Sequence, residues 1–256
     1  MKEQVLVVTI DEVYVTVDSN EFFILKELVD YFTFKVPGAE FMPSFRNKMW
    51  DGRIRLLNPN NRKLYKGLIS HLRRFCDMNG YELVYEDDAP PNFSKKNLEE
   101  LAQYVNPHSG GKPIQYRDYQ LEAVQHSINS NRCLLLSPTA SGKSLIIYLI
   151  LRHLQLENKK GLLIVPTTSL VEQMYKDFED YGWDAESYCH KIYSGKEKNT
   201  NKQVVITTWQ SIYNLPRSFF DSYDVVIGDE AHLFKSKSLV SIMTKLDNAK
   251  YRFGFT

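Results

Sequence analysis

The chain has 256 residues, 43% of them hydrophobic, a net charge of +1 and three scattered cysteines. That length and apolar content support one or two cored domains, and an odd cysteine count without C-x-x-C spacing argues against a disulfide framework or a cysteine metal site. No apolar run approaches the ~20 residues of a membrane helix, and the start lacks a secretory signal, so a cytoplasmic protein is expected.

In chain order, Val5–Ile10 and Val13–Val17 are β-rich runs around Asp11-Glu12, predicting a hairpin. Asp18 with Glu21 has capping-box spacing, and Phe22, Leu25, Val29 and Phe32 recur at helical intervals. A short strand is predicted at Phe34–Val36. From Arg46 to Arg74 nine basic residues face one acid, a local balance of +8, and from Asp77 to Glu100 the balance is −5. Such a basic block is either an electrostatic footprint for a phosphate backbone or a solvated face. Within it Arg46, Lys48, Arg53 and Arg55 are the candidate contacts. Arg53 and Arg55 would alternate with a buried Ile54 on a strand, and Leu56 and Leu57 would join that core. Phe45 and Trp50 could stack on bases, although burial preference favours the core.

A helix is predicted over Leu68–Met78, a strand over Tyr81–Tyr85, a loop at Asp87–Pro91 and a capped helix over Ser94–Val105. The Asn106–Pro113 stretch, rich in Gly and Pro, reads as a linker, giving domains 1–105 and 114–256. Beyond it, short apolar strands at 132–136, 161–165, 204–207, 224–228 and 251–255 alternate with helical runs. The expected fold class is therefore α/β, a mainly parallel sheet covered on both faces, preceded by a small α+β domain.

The strand at 132–136 feeds Ser137-Pro138-Thr139-Ala140-Ser141-Gly142-Lys143-Ser144 and a helix over Leu145–Leu154. Strand, small-residue loop, Gly-Lys-Ser and helix make a phosphate cradle, because backbone N–H groups at a helix N-terminus attract anions. Lys143 would reach the β- and γ-phosphates of ATP and the Ser144 hydroxyl would ligate Mg²⁺. Ser137 stands where the P-loop pattern has its first glycine. The strand at 224–228 delivers Asp229-Glu230-Ala231-His232, and strand C-termini are where ligands collect in parallel sheets. Asp229 would hold Mg²⁺ and Glu230 would deprotonate the attacking water, the two strand tips being expected to lie side by side.

These motifs resemble those of superfamily 2 helicases with a RecA-like P-loop core. Tyr116-Arg117-Asp118-Tyr119-Gln120 resembles the adenine-reading motif, which implies ATP-base contacts at Gln120 and Arg117. Leu162–Leu170 and Ile206–Ile212 resemble the nucleic-acid motifs, which implies backbone contacts at Thr167, Thr168, Thr207 and Thr208. Asp229-Glu230-Ala231-His232 is the helicase box, with His232 relaying the state of the γ-phosphate. Over nearly the whole chain, Phe45, Arg46, Trp50–Leu57 and Pro166-Thr167-Thr168 resemble the UvsW recombination helicases of T-even-like bacteriophages. That likeness implies ATP-driven work on branched DNA in recombination and repair: fork regression, junction branch migration and R-loop removal. An RNA helicase, a restriction-type translocase and a nucleotide-gated DNA-binding module stay open as alternatives.

The resemblance also implies a second RecA-like domain carrying an arginine finger, worth ~10³ to 10⁵ in turnover. Phe253-Gly254-Phe255-Thr256 runs into the third motif, so an N-terminal fragment that hydrolyses ATP barely is expected.

Overall fold

The computed structural model describes residues 5–10, 13–85, 93–138 and 140–256, and divides into two compact units, Met1–Ala89 and Pro90–Thr256. In the first, β1 (Val5–Ile10) and β2 (Tyr14–Ser19) form the expected antiparallel pair, Val8 opposite Val17. The predicted turn Asp11-Glu12 and the loop Asp87–Pro91 lie outside the described residues. Helix α1 (Phe22–Tyr31) starts without a capping box: β2 runs to Ser19, and the Ser19 hydroxyl accepts from the Glu21 N–H at 3.2 Å. After β3 (Thr33–Lys35), a short helix α2 (Pro43–Arg46) and β4 (Arg53–Arg55), the chain continues through β5 (Lys63–Tyr65), α3 (Ile69–Asn79) and β6 (Glu82–Tyr85).

The main sheet has the order β5-β2-β1-β6, with β6 parallel to β1. Alternation puts Leu6, Val8, Val15 and Val17 on one face, where Ile24, Leu28 and Phe32 from the α1 region and Leu72, Phe75 and Cys76 of α3 cover them. β3 and β4 form a separate two-stranded ribbon pairing Phe34 with Ile54. Ile54 is 41% exposed rather than core: a two-stranded ribbon has no second layer to bury one of its faces.

The second unit begins with α4 (Lys95–Val105), capped by Ser94 and Asn97 as its sequence suggests. Helix α4 packs in the second unit and not with residues 1–89, contrary to the boundary expected at 106–113. Leu98 and Leu101 sit with Phe93 in one core with Val124, Ile128 and the helix after the phosphate loop. Nor is 106–113 a free linker. It folds into a tiny hairpin, β7 (His108–Ser109) and β8 (Lys112–Pro113), whose Ser109 hydroxyl and Gly110 N–H donate to Asp180 at 2.8 and 3.2 Å.

Then follow α5 (Asp118–Ser130), β9 (Arg132–Leu135), α6 (Lys143–Leu156), β10 (Gly161–Val165), α7 (Thr168–Asp180), α8 (Ala185–Tyr188), β11 (Cys189–Ile192) and β12 (Val204–Thr208). Two short helices, α9 (Trp209–Ile212) and α10 (Arg217–Phe220), precede β13 (Val225–Gly228), α11 (Lys237–Lys245) and β14 (Tyr251–Phe255). Six strands form one sheet in the order β11-β12-β10-β13-β14-β9, every pair parallel. Side chains alternate between two cores. Leu163, Val165, Ile206 and Ile227 face α6 and α7, whereas Leu162, Ile164, Val205 and Val226 face the α9–α11 side. Helix α6 is apolar around its circumference and buried accordingly, as a helix in a three-layer interior should be.

Arg252 ties β14 to α11. Its guanidinium donates to Met243 O at 2.9 Å, to Ala249 O at 3.0 Å and to Leu246 O, satisfying carbonyls around the end of that helix. Replacing Arg252 with Met strands these buried acceptors. The expected loss is about 2–4 kcal/mol in urea unfolding, and an unchanged midpoint would refute the assignment.

Candidate nucleotide site

The phosphate loop is fixed from three sides. At its start the Ser137 N–H donates to Thr256 O at 2.7 Å, and the Ser137 and Ser141 hydroxyls lie 2.6 Å apart. Among the described loop residues the left-handed backbone falls at Ala140 (φ 64°) and Gly142 (φ 81°), not at Ser137, so the first position has no need of glycine. Gly142 is required twice over: a Cβ there would fall 2.4 Å from Gln120 Nε2. Thr139 lies outside the described residues; Pro138 and Ala140 line the cavity beside the loop with Arg117 and Tyr119.

Gln120 is buried and locks the start of α5 to this loop. Its Oε1 accepts from the Arg117 N–H at 3.0 Å and its Nε2 donates to Ser141 O at 2.9 Å. Tyr119, not singled out from sequence, does the same from the exposed side. Its hydroxyl donates to Ser141 O and accepts from Arg117, each at 2.9 Å. The signal was present in the Tyr116–Gln120 tract, but nothing in that tract told a bridging phenol from a surface one.

Asp229 and Glu230 leave the end of β13, with Glu230 in the left-handed region (φ 52°), strain of the kind that collects at functional sites. β14 intervenes between β9 and β13, so the two strand tips are not neighbours as expected. Lys143 bridges the gap: its Nζ lies 3.8 Å from Asp229 Oδ1 and 3.4 Å from Glu230 Oε1. His232 stands 3.4 Å from Glu230 and 3.0 Å from the Thr256 hydroxyl. Gly254, on the intervening strand, is a point of close approach, since a Cβ there would meet Ala231 and Leu134 at 2.9 Å.

Asp229 is 6% exposed and its Oδ1 accepts no hydrogen bond among the described residues. Burial pushes its carboxyl up from the usual range, opposed by the Lys143 ammonium. A buried carboxylate oxygen without a hydrogen-bond donor, 3.8 Å from the Lys143 ammonium, suits a hard divalent cation shared with a triphosphate. No group of three or more acidic, His or Cys side chains that could hold a metal forms among the described residues. Ser144, the other expected ligand, turns its hydroxyl to Tyr181 at 2.8 Å.

The nucleic-acid candidates divide. Thr167 and Thr168 are exposed at the start of α7, where the Thr167 hydroxyl accepts from the Leu170 N–H. Thr207 is fully buried and donates to Ile192 O at 2.8 Å, and Thr208 is 4% exposed with its hydroxyl on Ser211. As direct contacts these two are corrected: their hydroxyls terminate β12 internally. In the first unit Arg46, Lys48, Arg53 and Arg55 are all exposed. Arg55 is tied to Asp51, and the Arg46 Nε donates to Glu40 O at 3.3 Å. Phe45 and Trp50 are half-buried and build the turn, Trp50 Nε1 donating to Arg53 O at 2.8 Å.

The buried Asp229 side chain makes stability depend on pH. Its carboxyl titrates higher folded than unfolded, so the folded state binds more protons just above the unfolded value near ~4 and stability falls as pH rises there. Asp229→Asn should therefore raise the unfolding free energy at neutral pH, the gain vanishing below pH ~3. A neutral-pH loss of stability in urea titrations would contradict this.

Two family models divide the sequence: "DNA helicase UvsW, N-terminal" matches residues 5–86, and "Type III restriction enzyme, res subunit" matches 113–256. The ATP-dependent DNA helicase uvsW of Enterobacteria phage T4 is 38% identical over 238 residues, covering 90% of this chain and 47% of that protein. A DNA 3'-5' translocase of Sulfurisphaera tokodaii is 29% identical over 143 residues, covering 56% of this chain and 30% of that protein. A crystal structure of the UvsW helicase from bacteriophage T4 superposes with a TM-score of 0.86 at 36% identity, covering 98% of this chain and 91% of that one. The chain spans about half the length, or less, of these two curated relatives. With its amino-terminal unit and its phosphate-loop unit each accounted for, the chain belongs to the UvsW helicase family.

Proposed function

We propose that this chain supplies the DNA-gripping and nucleotide-binding half of an ATP-dependent DNA helicase that remodels branched DNA. The carrying observation is the reach of Lys143 across β14 to Asp229 and Glu230, which gathers a phosphate-binding cation, a cation-holding carboxylate and a general base at one end of the sheet. Lys143 and the loop amides bind the β- and γ-phosphates, and Gln120 with Arg117 receives the base. Asp229 and Ser144 would hold Mg²⁺, which when bound neutralises charge developing on the phosphate oxygens. Glu230 takes a proton from the attacking water as the bond to the γ-phosphorus forms and the bond to the ADP oxygen breaks. His232, between Glu230 and Thr256, passes the occupancy of the γ-position toward the end of β14. Thr167 and Thr168 contact the phosphate backbone, which positions DNA without reading its sequence.

The exposed basic residues of the first unit are read as the grip on duplex near a branch. ATPase assays on the full-length protein test the substrate class: forked DNA is expected to stimulate more than linear duplex, and single-stranded RNA least. Equal or greater stimulation by RNA would overturn the DNA assignment. Lys48 and Arg53, which keep no ion pair among the described residues, test the grip. Reversing both charges should weaken duplex binding and lower the log–log salt slope by about 0.9 for each phosphate that is no longer neutralised. Unchanged affinity and slope in a folded variant would make the block a solvated face.

A further inference from the structure

The Ser144 hydroxyl is already engaged, and by a group outside the nucleotide motifs. Tyr181, the residue that ends α7, places its hydroxyl 2.8 Å from Ser144 Oγ. Either hydroxyl can donate in that bond, and in both arrangements the serine side chain is turned toward Tyr181. To ligate a cation the Ser144 oxygen would have to turn from this partner.

Tyr181 is held there firmly. Its ring lies 5.1 Å from that of Tyr148, one helical turn beyond Ser144 on α6. Its carbonyl accepts from Tyr148 Oη and from the His108 N–H, each at 3.4 Å. The preceding Asp180 takes two hydrogen bonds from the β7–β8 hairpin. The phenol is thus positioned by α6, by α7 and by the hairpin at 106–113 together.

We infer that Tyr181 is a positioning residue that latches Ser144 away from the metal site, so that loading a metal–nucleotide complex requires the serine to exchange partners. The latch rests on the nucleotide-site reading above, and concerns affinity rather than turnover. Removing only the phenolic oxygen isolates it, since Tyr181→Phe keeps the ring against Tyr148. A net hydrogen bond corresponds to a factor on the order of 2 to 10 in an equilibrium constant.

The measurement is binding of a fluorescent ADP analogue to the 256-residue chain, once with excess Mg²⁺ and once with EDTA. Tyr181→Phe should bind the Mg²⁺ form about 2- to 10-fold more tightly than the parent and the metal-free form equally well, with thermal unfolding unaltered. Equal or weaker Mg²⁺-dependent binding overturns the latch. So does the same gain in both arms, which would mark a general loosening of α7. If the parent shows no Mg²⁺-dependent binding, latch and nucleotide site fall together; if it does and the variant matches it, the latch alone falls.

Discussion

A single lysine has to span an intervening strand, and the geometry of the phosphate-loop unit is built around that span. With strands ~4.8 Å apart, the tips of β9 and β13 stand two spacings apart, a separation one long side chain can close. Lys143 makes that closure because it leaves the first turn of α6, whose direction is set by burial on every side. The same ammonium keeps company with two acids, one of them almost fully buried, that would otherwise repel each other. The cost of holding Asp229 out of water is tolerable only beside such a cation, or beside the metal it would share with a triphosphate.

The loop itself shows how a P-loop can depart from its consensus. Where a first glycine is usual, Ser137 keeps ordinary backbone geometry and uses its hydroxyl to meet Ser141, while its N–H is fixed by Thr256. The left-handed conformation moves to Ala140 and Gly142, and Gln120 packs so tightly over Gly142 that no side chain fits. The loop is therefore braced by α5 on one side and by the end of β14 on the other.

Much of this architecture was legible from residues alone, wherever burial imposes a pattern. The five apolar strands, the phosphate loop and the acidic box lie within a residue or two of their expected places, because strands covered on both faces read as unbroken apolar runs. β11 was missed for the converse reason: His190 and Lys191 interrupt a sheet-edge strand whose buried residues are only Cys189 and Ile192. Composition misplaced the boundary at 106–113, since Gly and Pro mark a tight hairpin as readily as a linker. Motif likeness placed Thr207 and Thr208 correctly in the chain but could not say that their hydroxyls turn inward. Ile54 misled because period-two alternation describes a layered sheet, and its strand has only one neighbour.

On β14, Gly254 is a point of close approach, with Leu134 on one flank and Ala231 on the other. A methyl group there would have to displace Ala231, next to the acidic pair, and turn the end of the Leu134 side chain aside. The packing around the acidic pair thus depends partly on a residue without a side chain, which no search for reactive groups would pick out.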